Sequence, residues 1–349
     1  ATNATANGIT LTSGGGAPAI NNGGGDGINF TNTVGGNLTV TTANSVTGST
    51  DGIELDNAGP GNVSLTIGGN VRGNAGDGIN IVSTGAGTVM VTGGTAGVTT
   101  IRGGAGAGND GIDITAAGNT TVSVNGTITG DPGVTFASAA GANFTLNGVG
   151  DVTGVGDEGV LVSTTGGNGN VLINRDGNIL GTTDGVDVTT AGGNGTSTVT
   201  AFTGHTITGT NAAGVRTRTD TGLNTVNGAG SISGGIFGID ARALLAGGAV
   251  TISGTGATTS TANNSAALSA VVAAGNGAIN ISRSGPLNNT GGGFGLGINA
   301  DNNGTGIIDI DSGAITVAGG TSIGIDATST GGGIVTVNNA GAINGGSVG

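Results

Sequence analysis

The feature that most constrains this chain is a short unit that recurs about every 27 residues. Each unit opens with a small residue, usually Gly, directly before an alternating apolar strand, as in GDGINI at 76–81. The opening residues are Gly8, Gly27, Gly52, Gly78, Gly111, Gly133, Gly159, Gly185, Gly214, Gly238, Ala267, Gly297 and Gly324. A fixed period between about 20 and 50 residues indicates a repeat architecture, not a set of separate globular domains.

Each unit carries three short apolar alternations. In the unit that opens at Gly78 they are INI at 79–81, VMV at 89–91 and TIRG at 100–103. Alternation with a period of two, bounded by Gly and Asn, predicts strands, and no window shows helical spacing. The second strand recurs as LTV 38–40, VSV 122–124, FTL 144–146, VLI 171–173, VTI 250–252, INI 279–281, IDI 308–310 and VTV 335–337. The third recurs as VTG 46–48, ITG 128–130, VTG 152–154, ITG 207–209, ISG 232–234 and ING 343–345.

These strands predict an all-β fold, a parallel β-helix solenoid with three short strands per turn and about 13 turns of 27 residues. No strand of such a unit can bury its inner face alone, so each turn must stack on the last. Inward Val, Ile and Leu then form columns along the axis, and Gly permits corners with positive φ. We expect one solenoid over residues 1–349, a rod roughly 60 Å long at about 4.8 Å per turn.

Neither end of the sequence shows a distinct capping unit. The chain starts just before GITL at 8–11, which we assign to a first strand, and finishes just after AINGG at 342–346. Uncapped strand edges invite pairing with another chain. We therefore expect either an excerpt of a longer polypeptide or a unit that stacks end to end.

Composition excludes several classes of protein and site. Gly makes up 82 of 349 residues but does not fall at every third position, and only four Pro are present, so collagen is excluded. Cys is absent, which excludes disulfides and thiolate metal sites. Lys is absent as well, and a net charge of −13 disfavours nucleic acid or an anionic membrane as a partner. The longest stretch of low polarity, AALSAVVAAG at 266–275, is shorter than the roughly 20 residues of a membrane helix, so no membrane insertion is expected.

The repeat units point to a known class of protein. Units such as DGIDITAAGNTTVSVNGTITG at 110–130 and FGIDARALLAGGAVTISGTG at 237–256 are rich in Gly, Asn and Thr. Through them the chain resembles, over essentially its whole length, the passenger region of bacterial autotransporter adhesins. The resemblance implies secretion across the outer membrane, a right-handed β-helix stalk and display on the cell surface. The absence of Cys fits that export route.

An Asp precedes the opening Gly in four consecutive units. These residues are Asp26, Asp51, Asp77 and Asp110. Carboxylates stacked about 5 Å apart repel one another unless they are solvated or bridged by a cation, and oxygen-rich corners suit Ca²⁺. The alternative is a turn in which Asp bonds its own backbone and Gly takes a positive φ. We favour the turn, because five later units replace the Asp by apolar residues: Ala213, Phe237, Ala266, Leu296 and Ile323. No other metal or cofactor is expected.

The second strands present an outward row rich in hydroxyl groups. Its members are Thr39, Ser64, Ser123, Thr145, Thr200, Thr251 and Thr336, and it is interrupted by Met90, Leu172, Asn280 and Asp309. A regular Thr array is able to bind ice or a carbohydrate surface. The simpler interpretation, which we favour, is that β-branched Thr suits an exposed strand.

The first strands present a more polar outward row. It consists of Asn29, Glu54, Asn80, Asp113, Thr135, Leu161, Asp187, Arg216, Asp240, Ser269, Asn299 and Asp326. Polysaccharide-active β-helix enzymes place paired carboxylates on such a face, and two pairs here have suitable spacing, Asp309 with Asp311 and Asp110 with Asp113. Basic groups nearby are sparse and the acids are scattered, so we expect a solvated surface and no catalysis. His205, the single His, is expected in a surface loop.

Together these features predict an extracellular, surface-displayed stalk or adhesin without catalytic activity. Its expected partners are host or matrix glycans and proteins, or neighbouring cells, held by many weak contacts. The alternative is a structural subunit of an extracellular filament or sheath, built by stacking or bundling of solenoids. A polysaccharide-active enzyme is the third and least favoured interpretation.

Overall fold

The computed structural model describes residues 2–3, 8–14, 16 and 18–345. Over these residues it confirms an all-β parallel solenoid with three strands per turn and about 27 residues per turn. Each of the three sheets contains 13 strands, and the stack amounts to about 12 turns, close to the expected 13. The described part of the chain contains no helix that is long and apolar enough to span a bilayer.

The strands fall into three classes by their place in the turn. The first strands are β1 (Thr2–Asn3), β4 (Ile28–Asn32), β7 (Ile53–Asn57), β10 (Ile79–Ser83), β13 (Ile112–Ala116), β16 (Val134–Ser138), β19 (Val160–Thr164), β22 (Val186–Thr190), β25 (Ala213–Thr219), β28 (Phe237–Ala243), β31 (Ala266–Val272), β34 (Leu296–Asn302) and β37 (Ile323–Ser329). The second strands are β2 (Ile9–Thr12), β5 (Leu38–Thr42), β8 (Val63–Ile67), β11 (Val89–Gly93), β14 (Thr120–Val124), β17 (Phe144–Asn147), β20 (Val171–Ile173), β23 (Ser197–Ala201), β26 (Leu223–Gly228), β29 (Ala249–Gly254), β32 (Ile279–Arg283), β35 (Ile308–Ser312) and β38 (Val335–Asn339). The third strands are β3 (Ile20–Asn22), β6 (Val46–Gly48), β9 (Val71–Gly73), β12 (Thr100–Arg102), β15 (Thr127–Gly130), β18 (Val152–Gly154), β21 (Ile179–Gly181), β24 (Thr206–Gly209), β27 (Ser231–Gly234), β30 (Thr258–Ser260), β33 (Leu287–Asn289), β36 (Ile315–Val317) and β39 (Ile343–Asn344).

Contacts between residues divide the chain into two compact units. Unit 1 extends to Gly169 and includes Ile173–Gly177, and unit 2 comprises Asn170–Leu172 and the chain from Asn178 onward. Within each unit, strands of one class pair in parallel with the strands of the same class in the turns before and after. In unit 1, for example, Ile79 lies opposite both Ile53 and Ile112.

Inward aliphatic side chains form the core of each unit. Ile53, Ile79 and Ile112 lie in one column of unit 1 and are fully buried. Each such side chain contributes about 1.5–3 kcal/mol by its removal from water. The rings of Phe136 and Phe144, from the first and second strands of one turn, stack with centroids 4.6 Å apart. These short side chains are therefore sufficient to form a buried core, because each one is covered by an equivalent side chain in the next turn.

The prediction that GITL at 8–11 is a first strand is wrong. This segment contains β2, which pairs with β5 and places Ile9 opposite Leu38. GITL therefore belongs to the second strands. Alternation alone does not distinguish strand classes, because every class buries alternate residues. This correction also explains why Gly8 lies so close in sequence to Gly27.

The opening Gly residues have a different role from the one expected. Gly78 and Gly111 do not adopt a positive φ. A Cβ on Gly78 would lie 2.5 Å from the carbonyl oxygen of Gly111 and 2.9 Å from Cγ2 of Ile101. Gly is needed there because the first strand, the third strand and the next turn approach too closely for a side chain. Positive φ values occur at other corners, such as Gly93 and Gly126.

Candidate functional site

The outward row expected on the first strands is aligned in both units, but the expectation of a solvated surface is wrong in unit 2. Asp187, Asp240 and Ser269 are buried there, and the two Asp side chains pair with Arg216. In unit 1 the aligned residues are Asn29, Glu54, Asn80, Asp113, Thr135 and Leu161. In unit 2 they are Asp187, Arg216, Asp240, Ser269, Asn299 and Asp326. In unit 1 the first strands β4, β7, β10, β13 and β16 each begin directly after the opening Gly, where close contacts leave no room for a side chain.

The four Asp residues before the opening Gly form a hydrogen-bonded ladder in unit 1. The backbone N–H of Asp51 donates to Oδ1 of Asp26 at 3.2 Å, and that of Asp77 donates to Oδ1 of Asp51 at 2.6 Å. The N–H of Asp110 donates to Oδ1 of Asp77, also at 2.6 Å. Each of the first three carboxylates thus caps the backbone of the next turn, and the expectation that Asp bonds its own backbone is wrong.

Asn side chains act in the same way at other corners. The side-chain oxygen of Asn37 accepts the N–H of Asn62 at 3.0 Å, and that of Asn62 accepts the N–H of Thr88 at 2.9 Å. In unit 2 the carboxylate of Asp184 accepts the N–H of Ala213 at 2.5 Å. Asp and Asn are interchangeable in this role because it requires only a short side chain that ends in an acceptor oxygen.

Three of the four ladder carboxylates, those of Asp51, Asp77 and Asp110, ionise less readily than ordinary Asp. Asp77 and Asp110 are 9 % and 5 % exposed, and burial raises the pKa of each to about 7, although a hydrogen bond to each carboxylate opposes the shift. Burial also raises the pKa of Asp51, and the neighbouring charge of Asp26 adds to this rise. The negative charge of these three carboxylates therefore opposes folding, whereas the oxygens of Asp51 and Asp77 still cap the N–H of the next turn.

The oxygen atoms of three acidic side chains converge at one end of the ladder. One carboxylate oxygen each from Asp26, Asp51 and Glu54 lies within 4.8 Å of the other two. Burial and the adjacent Asp26 raise the pKa of Glu54 to about 7. Burial alone would raise the pKa of Asp26 too, but hydrogen bonds from Asn29, Thr50 and Glu54 outweigh it and lower that pKa to about 2.

Two chemical roles are open to this acidic cluster. Three oxygen ligands are a possible start of a calcium site, and two carboxyl groups with separated pKa values are a possible acid–base pair. Protein groups already occupy much of its capacity, because Asn29 donates to Oδ2 of Asp26 at 2.8 Å and also to Glu54. The Thr50 hydroxyl and the Asp51 N–H both donate to Oδ1 of Asp26. A cation would have to displace several of these hydrogen bonds.

The prediction of a hydroxyl-rich row on the second strands is only partly correct. Thr39, Ser64, Met90, Thr121 and Thr145 are aligned in unit 1. In unit 2 the aligned residues are Thr198, Thr225, Thr251, Asn280, Asp309 and Thr336. Ser123 and Thr200 were placed in this row, but they lie in the adjacent outward row, opposite Asn147 and Asn227 respectively. The expectation failed because alternation identifies the outward face without fixing the register.

Unit 2 contains a network of three Arg and three Asp that the sequence analysis missed. Arg216 forms ion pairs with Asp184, with Asp187 at 3.6 Å and with Asp240 at 3.7 Å. The remaining pairs are Arg218 with Asp187 at 3.4 Å and Arg242 with Asp240 at 2.8 Å. The sequence contains a signal for this network. Arg216 and Arg218 share one strand face, and Asp240 and Arg242 occupy the corresponding positions 24 residues later. The network balances charge on the first-strand face of unit 2.

Two buried Arg side chains were also missed. Arg175 is 1 % exposed, and its guanidinium donates to the backbone carbonyls of Val124, Gly126, Asn147, Val149 and Gly150. Arg283 is fully buried and donates to Thr258 Oγ1 and to the carbonyl of Ser253. Burial lowers the pKa of both guanidinium groups to about 10. Both side chains satisfy carbonyl groups at the corner that follows a second strand.

The two carboxylate pairs considered for catalysis lie in neighbouring rows, and in one pair the charge of Asp113 adds to the burial that raises the pKa of Asp110. Asp309 and Asp311 face outward in different rows of β35, opposite Thr336 and Asn338. Asp110 belongs to the ladder, and Asp113 lies in the adjacent first-strand row. His205 is half-buried in a loop, where its backbone N–H donates to the carbonyl of Phe202 at 3.1 Å.

No protein-family model, curated protein or solved structure matches the chain. The fold and the aligned columns of its surface are therefore the features that bear on its function.

Proposed function

We propose that this chain is an extracellular, surface-displayed β-solenoid of the autotransporter-adhesin type, exported across the outer membrane and without catalytic activity. Its partners are glycans or proteins of a host, a matrix or neighbouring cells. The observation that carries the proposal is the alignment of polar side chains in continuous outward columns. One column in unit 2 contains Thr198, Thr225, Thr251 and Asn280.

Such columns favour binding through many equal, weak contacts. Each turn presents a hydroxyl, amide or carboxylate group at the spacing of neighbouring strands, about 4.8 Å. A polymer whose own groups repeat along its length can then contact several turns at once, and the combined affinity exceeds that of any single contact. The polar groups of the acidic cluster, in contrast, are largely bonded to one another, which supports a structural role for it.

The proposal predicts binding that depends on display density. Beads coated with the purified chain at increasing density should be retained by glycan-coated surfaces or bacterial cells, while the same beads coated with an unrelated acidic protein should not. The glycans should show no new reducing or unsaturated ends afterwards. Retention that does not rise with density would contradict multivalent binding.

Electron microscopy of the same preparation distinguishes the structural alternative. The adhesin proposal expects separate particles at the concentrations that give retention. Long regular fibres formed without any glycan or cell surface would instead support a filament or sheath subunit.

A further inference from the structure

Two Arg residues of unit 1 are stacked directly on one another on the third-strand face. Arg72 is the central, outward residue of β9, and Arg102 lies opposite it on β12. Both side chains are exposed, whereas their neighbours Val71 and Ile101 are buried in the core. The two side chains therefore point outward from adjacent strands whose backbones are about 4.8 Å apart.

Neither guanidinium is compensated by the part of the chain that the structure describes. Neither has a side-chain hydrogen bond or an ion pair among these residues, in contrast to Arg216, Arg218 and Arg242. The residues next to them in the column are Thr47 and Thr129, which are uncharged. Like charges directly opposite one another destabilise a sheet. This arrangement is unexpected in a chain with 20 acidic and seven basic residues, unless an external anion binds it.

Two cavities flank the Arg pair and share Arg102 as a wall. The first, of about 280 Å³, is lined by Arg102, Thr129, Asp131, Val155 and short residues at 103–106, 130 and 156. The second, of about 220 Å³, is lined by Asn70, Val71, Arg72, Thr100 and Arg102. Each cavity has room for a group the size of a sugar ring, and the first is lined mainly by Gly. The charged groups and the cavities therefore form one continuous surface, which we call the Arg72–Arg102 site.

The chemistry of this site selects among anionic ligands. A guanidinium binds a carboxylate through two parallel hydrogen bonds. Thr129 and Asp131 supply acceptors for sugar hydroxyl groups in the first cavity. The Asp131 carboxylate and the net charge of −13 oppose densely charged polymers such as nucleic acids. An acidic sugar chain, with at most one carboxylate per ring, satisfies both conditions.

We propose that the Arg72–Arg102 site binds a uronate-bearing sugar chain that runs across β9 and β12. Carboxylates of the chain pair with the two guanidinium groups, and its rings occupy the two cavities. The proposal rests on the function proposed above, because it names the ligand class for one part of the adhesive surface.

The test measures binding of oligogalacturonate to the purified chain by calorimetry at low ionic strength. Wild type should bind, the affinity should fall as salt is added, and the neutral oligogalactose of equal length should bind at least tenfold more weakly. Arg72→Gln combined with Arg102→Gln should lower the affinity for oligogalacturonate at least tenfold. Its melting temperature should be equal to or higher than that of wild type, because a repulsive pair is removed.

Arg218→Gln combined with Arg242→Gln is the matched control. It changes the net charge by the same amount, but these guanidinium groups are already paired with Asp187 and Asp240. Its affinity for oligogalacturonate should stay within about twofold of wild type at a temperature where both variants are folded. Equal loss in both variants, or no loss in the Arg72 and Arg102 variant, would overturn the proposal.

Two further outcomes separate this site from the general function. Tighter binding of a sulfated oligosaccharide or of single-stranded DNA than of oligogalacturonate would overturn the choice of a carboxylate ligand. Failure of oligogalacturonate to bind while coated beads are still retained on neutral glycans would overturn the site and leave the adhesin proposal standing.

Discussion

Replacing Asp77 by Asn should make the protein more stable at high pH and leave it unchanged at low pH. Asn keeps the acceptor oxygen that receives the Asp110 N–H at 2.6 Å, as Asn37 and Asn62 do at other corners. It removes a buried group whose pKa is raised from 3.8 to about 7, mainly by burial.

The direction of the pH effect follows from that shift. Because the folded state holds the proton of Asp77 more tightly than the unfolded state, the contribution of this group is fully present below pH about 4 and is lost as pH rises through about 7. Raising the pKa from 3.8 to about 7 corresponds to at most about 4 kcal/mol, at about 1.36 kcal/mol per pH unit. Screening by nearby solvent lowers this figure, so we expect Asp77→Asn to gain about 2 kcal/mol or more at pH 8.5.

Denaturant unfolding at pH 3 and pH 8.5 provides the measurement, with Asp77→Ala as the control. The Ala variant lacks the acceptor and leaves the Asp110 N–H without its partner, so it should lose about 1–3 kcal/mol at pH 3, where Asp77→Asn should match wild type. The reasoning is refuted if Asp77→Asn is no more stable than wild type at pH 8.5, because the buried charge would then cost nothing.

Three further perturbations test separate parts of the account. Arg175→Met should lower the free energy of unfolding by about 3 kcal/mol or more, because the five carbonyls that the Arg175 side chain binds lose this donor. Equal denaturation midpoints for the variant and wild type would contradict this. Gly78→Ala should cost about 1–3 kcal/mol through the clash with the Gly111 carbonyl, whereas Gly24→Ala, where a Cβ meets no atom within 4 Å, should be nearly neutral in the same melt. The melting temperature should be the same in calcium as in EDTA, since protein donors already occupy oxygens of Asp26. A stabilisation of about 2.7 kcal/mol at a calcium concentration of 100 times the dissociation constant would instead establish a calcium site.

The parts of the fold that the sequence predicts correctly depend on a local steric marker. Gly78 and Gly111 stand where no Cβ fits, so they mark the starts of β10 and β13, and the outward row from Asn29 to Leu161 follows without error. The second strands have an equivalent marker, because a Cβ at Gly87 or Gly118, two residues before β11 or β14, would meet a backbone oxygen of the previous turn. Alternation alone does not reveal this marker, so Ser123 was assigned to the right face and the wrong row, and Ile9 to the wrong class of strand.

The candidate sites were harder to predict because they depend on contacts between turns. The Asp ladder was visible as a column, but its bond to the next N–H follows from the strand spacing and not from the Asp-Gly pair itself. Arg283 lies opposite Gly254, at a buried position where a long basic side chain has no precedent in the repeat. That contrast between Gly and Arg was the available signal for a buried guanidinium.

The central claim is that the chain holds glycans through repeated surface contacts and does not alter them. The most direct test is an array of defined acidic and neutral glycans incubated with bead-displayed chain, followed by mass spectrometry of each glycan. The account predicts retention on glycans that rises with display density, with every glycan mass unchanged. Retention on none of them, or cleavage of any of them, would contradict it.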